Sequence, residues 1–317
     1  SYSLFFEISA SAKSLRKNPA ATRQFLQPGG YAYEIGDIWR QPDLAWTLSE
    51  ISASGADGFY RGEVAQLITT EMESGGGLIT AQDLADYRVV ERQPVRGSYK
   101  DFEIVSTPPP SSGGVHIVQM LNILEGYDLQ AMGHNSAAYI HHLTESMKLA
   151  YADRSLYLAD PDFVDVPVTQ LVDKAYAEQQ RQRIDSNVAT PSVDIAPGQL
   201  LGSESTETTH YSVADRFGNV VSNTYTLNFS FGSSIVVPGT GMLLNNEMAD
   251  FASSPGSANA FGLVQGEANK IEPGKRPLSS MSPTIVFRDG EPWLATSSPG
   301  GSVIISTVLQ TALNAMA

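Results

Sequence analysis

Before Thr208 apolar residues recur at three- and four-residue intervals, and after it they alternate with polar ones, so the chain reads as helices followed by strands. Ser1 to Lys17 carries an amphipathic helix pattern with no cap at its start. Pro42-Asp43 opens a helix with Leu44, Leu48 and Ile51 on one side, ended by Gly55. Gly58 to Glu73 repeats the pattern with Phe59, Val64, Leu67, Ile68 and Met72, and Gly75-Gly76-Gly77 stops it. Thr80-Ala81-Gln82-Asp83 has capping-box spacing, with Asp in the fourth place, and opens a short helix through Tyr87. Val89 to Tyr99 and Phe102 to Ser106 read as strands, the first at an edge or interrupted because Pro94 has no N–H for a ladder. Pro108-Pro109-Pro110 excludes helix, and Ser111-Ser112-Gly113-Gly114 leads into one with Ile117, Met120, Leu121 and Leu124. Asn135 is placed to cap the longest helix, which carries Ile140, Leu143, Met147, Ala150 and Tyr151; Val168 to Ile184 is another.

Asp185 to Glu207 has no periodicity and contains Pro191, Pro197 and Gly198, which predicts a flexible approach to Thr208. Thr208 to Asn228 then reads as a β-hairpin around a Gly-Asn turn. Alternation puts Thr209, Tyr211 and Val213 on one face and Thr208, His210, Ser212 and Ala214 on the other. The returning strand could bring Thr226 and Asn228 beside Thr208. Ser253 to Glu267 is small, polar and broken by Pro255 and Gly256, so it reads as a surface loop and a candidate lid. Thr284 to Phe287 and Trp293 to Thr296 flank Asp289-Gly290, a hairpin signal, and an apolar helix begins at Gly301. This succession suits a layered α+β fold.

At 317 residues the chain can bury a large core as one domain or two intertwined halves. Its net charge of −14 argues against nucleic acid or an anionic membrane surface as partner, and serves solubility. There are no cysteines, which excludes disulfides and thiolate metal sites. No run is apolar enough to span a bilayer, and the N-terminus carries no signal-peptide pattern.

A Thr heading a strand is a plausible nucleophile when cleavage before it frees its own α-amine as base, although a strand-forming Thr is the stronger reading from spacing alone. Ser298-Pro299-Gly300-Gly301 precedes a helix and could present N–H groups to an oxyanion, or simply turn. His141 and His142 are adjacent, and His116, His134 and His210 have no ligand-like spacing, so neither a catalytic metal nor a Ser-His-Asp triad is expected. Lys148, Asp153 and Arg154 read as a structural charged network. A serine hydrolase built on Ser111-Ser112-Gly113-Gly114 lacks a nucleophile-elbow pattern.

Several stretches together resemble the γ-glutamyltransferases, also called γ-glutamyl transpeptidases or glutathione hydrolases. Thr208-Thr209-His210-Tyr211-Ser212-Val213 is similar to the start of that family's small subunit. Leu243-Leu244-Asn245-Asn246-Glu247-Met248-Ala249-Asp250-Phe251, Arg276-Pro277-Leu278-Ser279-Ser280-Met281-Ser282-Pro283-Thr284 and Ser298-Pro299-Gly300-Gly301-Ser302 follow in family order. Upstream, Pro108-Pro109-Pro110-Ser111-Ser112-Gly113-Gly114 and Ala150-Tyr151-Ala152-Asp153-Arg154 also fit.

The resemblance implies the four-layer αββα sandwich of the N-terminal-nucleophile hydrolases, a large-subunit portion over 1–207 with a processing linker at about 186–207, and a small-subunit portion over 208–317. It implies autoproteolysis between Glu207 and Thr208, after which Thr208 is the catalytic nucleophile. Thr226 then holds the Thr208 hydroxyl, and Gly300 and Gly301 form the oxyanion hole. It assigns Asn228, Glu247 and Asp250 to the substrate ammonium and Ser279 and Ser280 to its carboxylate, with Phe261 as a candidate latch in the lid. Expected substrates are glutathione and other γ-glutamyl compounds, with acceptor amino acids or peptides. No cofactor or metal is expected, and the location expected by resemblance is periplasmic or secreted. Family members also carry a carboxylate-binding Arg in a segment before Ser1, to which neither Arg61 nor Arg96 corresponds, and further strands beyond Ala317. The alternatives are a cephalosporin or glutaryl acylase, whose substrate lacks the α-amine, and an unprocessed, non-catalytic member.

Overall fold

A computed structural model describes residues 1–195, 208–257, 259 and 263–316. Among these the strands are β1 (Val95–Tyr99), β2 (Phe102–Ser106), β3 (Thr209–Ala214), β4 (Val220–Tyr225), β5 (Val236–Val237), β6 (Met242–Leu243), β7 (Thr284–Arg288) and β8 (Glu291–Thr296). The chain forms two compact units, Ser1–Glu91 with Leu227–Asn246, and Arg92–Thr226 with Glu247–Ala317.

The first unit is mainly helical. Its opening helix, Tyr2–Leu15, does have a cap, since the Ser1 hydroxyl accepts from the Leu4 amide at 3.3 Å. Ile8, Ala12 and Leu15 pack with Ala21, Phe25, Phe231 and Val236. In the helix Pro42–Ser54 the buried residue is Thr47, whose hydroxyl donates to the Thr240 carbonyl at 2.9 Å, while Leu48 is 57% exposed. The single helix expected over Gly58 to Glu73 is two, Ala56–Tyr60 and Glu63–Gly75, parted at Arg61-Gly62. Thr80 and Asp83 form the expected capping box.

The second unit is built on an antiparallel sheet in the order β1-β2-β7-β8. Gly97, Ile104 and Val286 align across three strands, and Ile104 and Val286 are buried there beneath the helix Gly113–Leu124. Every residue of that helix is buried, and Ile304–Met316 packs beside it. Each fully buried aliphatic side chain there is worth about 1.5–3 kcal/mol over exposure. Strand β1 starts only after Pro94, as the missing N–H requires. Asp289 (φ 54°) and Gly290 (φ 83°) make the two-residue turn into β8. The long helix is Ala137–Tyr157, capped by Ser136 instead of Asn135, which takes φ 56°. Val168–Leu171 and Lys174–Arg181 are separate helices because Asp173 caps the second. No described helix is long and apolar enough to cross a membrane.

Candidate active site

The candidate site grows from four segments of the second unit. The first is the hairpin, where β3 and β4 pair with Thr209 opposite Tyr225 and His210 opposite Thr224. Continued by one residue beyond the paired strands, this register would set Thr226 opposite Thr208. Asp215 ties the turn by accepting from the Phe217 and Asn219 amides at 2.8 and 2.9 Å. The face shared by Thr208 is polar. His210 Nδ1 lies 2.9 Å from the Thr224 hydroxyl and Nε2 lies 3.0 Å from that of Ser212, and burial lowers the imidazole pKa. Ser222, on this same face, donates to the Thr296 carbonyl at 3.3 Å, which sets the hairpin against the end of β8. Tyr211, Val213, Val221 and Tyr225 on the other face are about half exposed.

Four residues beyond Thr296 come Gly300 (φ 130°) and Gly301 (φ 52°), a backbone path closed to ordinary L-residues. They lead through the 3₁₀ turn Gly301–Val303 into the helix Ile304–Met316, so N–H groups at a helix N-terminus gather there. A Cβ on Gly300 would lie 2.8 Å from Val303 Cγ2, a second reason for glycine.

The acidic pair lies on the 3₁₀ turn Glu247–Asp250, where a spacing of three residues places both side chains on one side. The two carboxyls hydrogen-bond each other. Burial, then repulsion from Asp250, pushes Glu247 up to about 7. Burial also pushes Asp250 up, to about 6, against the opposing pull of the Arg154 charge. Asn269, 1% exposed, donates to the Asp250 carbonyl at 2.8 Å and accepts from the Leu278 amide at 3.1 Å. One buried amide thus joins the acidic turn to the residue preceding the serine pair.

Ser279 and Ser280 are held against the start of the helix Gly113–Leu124. The Ser279 amide donates to the Pro110 carbonyl at 2.8 Å, and its carbonyl accepts from the Ser112 amide at 2.9 Å and the Ser112 hydroxyl at 2.9 Å. A Cβ on Gly113 would lie 2.3 Å from Ser282 Oγ and 2.5 Å from the Met281 carbonyl, so this approach demands glycine. Ser280 Oγ accepts from Arg154 Nη2 at 3.2 Å.

Asn228 belongs to the first unit. Strand β4 ends at Tyr225, and Asn228, with φ 77°, is buried and donates to the Asn246 carbonyl at 3.0 Å. Glu207 and Phe261 lie outside the described residues. The candidate lid is less superficial than its composition suggests, since Leu263 and Gln265 are buried and the Gly266 amide donates to the Ser155 carbonyl at 2.9 Å.

Lys148, Asp153 and Arg154 do not form one network. Lys148 bonds Glu145 and the Thr190 carbonyl, Asp153 accepts from Gln119 and from Tyr176 at 2.9 Å, and Arg154 faces the serines. Asn269, Ser112 and Arg154 are the site residues that sequence reasoning missed or misread. Among the described residues no three His, Cys, Asp or Glu side chains gather as metal ligands do.

A family model described as gamma-glutamyltranspeptidase matches residues 2–317. The chain is 54% identical to a glutathione hydrolase proenzyme of Escherichia coli K12 over 287 residues, covering 90% of this chain and 50% of that protein. It is 43% identical to an acylase ACY 1 proenzyme of Pseudomonas sp. SE83 over 97% of this chain and 52% of that protein. The solved cephalosporin acylase of Bacillus halodurans matches with a TM-score of 0.82 and 26% identity over 99% of this chain and 55% of that one. The γ-glutamyltranspeptidase of Helicobacter pylori matches with a TM-score of 0.57 and 44% identity over 59% of this chain and 56% of that one. The chain spans about half the length of the curated relatives it matches. Its fold is the α+β fold of the N-terminal-nucleophile hydrolases that the resemblance implies. On the match over residues 2–317 and the identity to glutathione hydrolase proenzymes, the chain belongs to the γ-glutamyltranspeptidase family.

Proposed function

We propose that the protein transfers or hydrolyses γ-glutamyl groups, from glutathione and related compounds, through an acyl-enzyme on Thr208. Cleavage of the Glu207–Thr208 bond, by attack of the Thr208 hydroxyl on its own preceding carbonyl and hydrolysis of the resulting ester, frees the α-amine. Fragments 1–207 and 208–317 are then portions of the large and small subunits. The α-amine, with an ordinary pKa of about 7.7–8.0, takes the hydroxyl proton as Oγ attacks the γ-carbonyl. Thr226 fixes the hydroxyl, and the Gly300 and Gly301 amides receive the oxyanion. The departing amine takes the proton back, and water or an acceptor amine repeats the sequence on the ester.

The observation that carries this reading is the half-buried pair Glu247 and Asp250, which hydrogen-bond each other and whose charged forms partial burial disfavours and a bound ammonium favours. A γ-glutamyl group brings that ammonium, and its carboxylate suits Ser279 and Ser280. Phe261 is the candidate latch over the acyl-enzyme, and the expected location is periplasmic or secreted. The rival reading is a glutaryl acylase, which the acylase relatives make concrete. In the complete natural chain, the 4-nitroanilides of γ-glutamate and of glutarate differ only in the α-amine. Turnover of the first at least tenfold faster, about 1.4 kcal/mol of discrimination, supports the γ-glutamyl reading, and preference for the second overturns it. Denaturing mass spectrometry should show cleavage before Thr208 in the wild type and an uncut Thr208→Ala variant.

A further inference from the structure

Arg154 is 1% exposed, in the last turns of the helix Ala137–Tyr157. Its Nε donates to Ser112 Oγ at 3.0 Å and its Nη2 to Ser280 Oγ at 3.2 Å, while its buried Nη1 has no hydrogen-bond partner among the described residues. A fully buried guanidinium bonded only to hydroxyls is an expensive arrangement for stability alone, since buried charges are ordinarily paired with a carboxylate. Asp250 acts on it through its field, and no direct ion pair joins them. Burial lowers the guanidinium pKa only to about 10, so the charge persists at neutral pH.

A guanidinium donates hydrogen bonds and cannot accept them, which fixes the direction of every bond beyond it. Ser112 accepts from Arg154 and passes its own hydrogen to the Ser279 carbonyl at 2.9 Å. Ser280 accepts from Arg154, so its hydrogen is left to donate elsewhere. Ser279 Oγ likewise accepts, from the Met281 amide at 3.0 Å. Both serine hydroxyls are therefore pre-set as donors, the state an anion needs.

We propose that Arg154 is a positioning residue, which polarises Ser280 directly and fixes Ser279 through Ser112, so that both hydroxyls donate to the substrate α-carboxylate. The inference rests on the γ-glutamyl reading. Arg154 also supplies the positive field of the carboxylate end, opposite in sign to the acidic pair.

The test uses the complete natural chain and two substrates, γ-glutamyl-4-nitroanilide and 4-aminobutyryl-4-nitroanilide, which lacks the α-carboxylate. Arg154→Gln should raise KM for the first about tenfold or more with kcat little changed, and lower kcat/KM for the second far less, by no more than the weakened charge on Asp250 accounts for. Arg154→Lys keeps the charge but not the two-serine fork, and should recover part of the loss. Ser112→Ala removes one arm while leaving the guanidinium in place, so it remains informative if Arg154→Gln fails to fold. It should raise KM severalfold for the first substrate only. Equal losses on both substrates, or a fall in kcat at constant KM, overturn the inference. A wild-type chain that is inert on γ-glutamyl-4-nitroanilide overturns the functional reading, and this inference with it.

Discussion

At Glu247 and Asp250 the burial that suits a bound ammonium works against the empty site. Both carboxyls have raised pKa values, so the folded protein holds protons there that the unfolded chain releases. Their contribution to stability is therefore present below the ordinary carboxylate range and is lost as pH rises toward about 7. Melting curves at pH 5 and pH 8 should show Glu247→Gln losing less stability across that interval than the wild type. Activity has the opposite sign: kcat/KM for a γ-glutamyl substrate should fall as pH drops through about 7 and about 6, because protonation removes the charge that attracts the ammonium. An acid limb that keeps its shape in Glu247→Gln refutes this. In Asp250→Asn the limb should lose one ionisation, with kcat/KM lower by about 10²-fold, as loss of a hydrogen-bonding partner for a charged group implies. None of these environments is visible in sequence. Arg154 stands beside Asp153, and only packing shows that their side chains serve separate clusters.

The elements differ in how they expose the site to mutation. The glycine at the start of the helix Gly113–Leu124 meets the serine segment so closely that a single methyl displaces backbone. Gly113→Ala should lower stability by about 1–3 kcal/mol and raise KM, because the Met281 carbonyl and Ser282 must shift. Thr80→Ala, which removes a solvent-exposed cap in the other unit, should cost about 1 kcal/mol and leave KM unchanged. Chemical denaturation paired with initial-rate kinetics separates the two effects. Elements with strictly local causes were legible in advance: the Thr80 box, the Asp289-Gly290 turn and the hairpin register. Those set by a neighbour were not. Asp173 splits a helix that looks continuous by period, and Thr47 takes the buried place expected for Leu48, because a carbonyl from the distant residue Thr240 is there to receive its hydroxyl.

On the scale of the whole molecule, cleavage before Thr208 would not separate what it divides. Strand β2 comes from before that bond and β7 from after it, and they pair from Phe102 with Arg288 to Ser106 with Thr284. The helices Gly113–Leu124 and Ile304–Met316 are likewise packed in one core. Processed protein should therefore elute as one species under native conditions and resolve into two polypeptides only in denaturant; separate native peaks refute this. The peptide bond is then needed for neither assembly nor retention once folding is done. The same ladder makes the protein a candidate for division at the level of the gene: two reading frames, one ending at Glu207 and the other beginning at Thr208, carry complementary halves of a single sheet, and complementation between them would read out folding without any processing step.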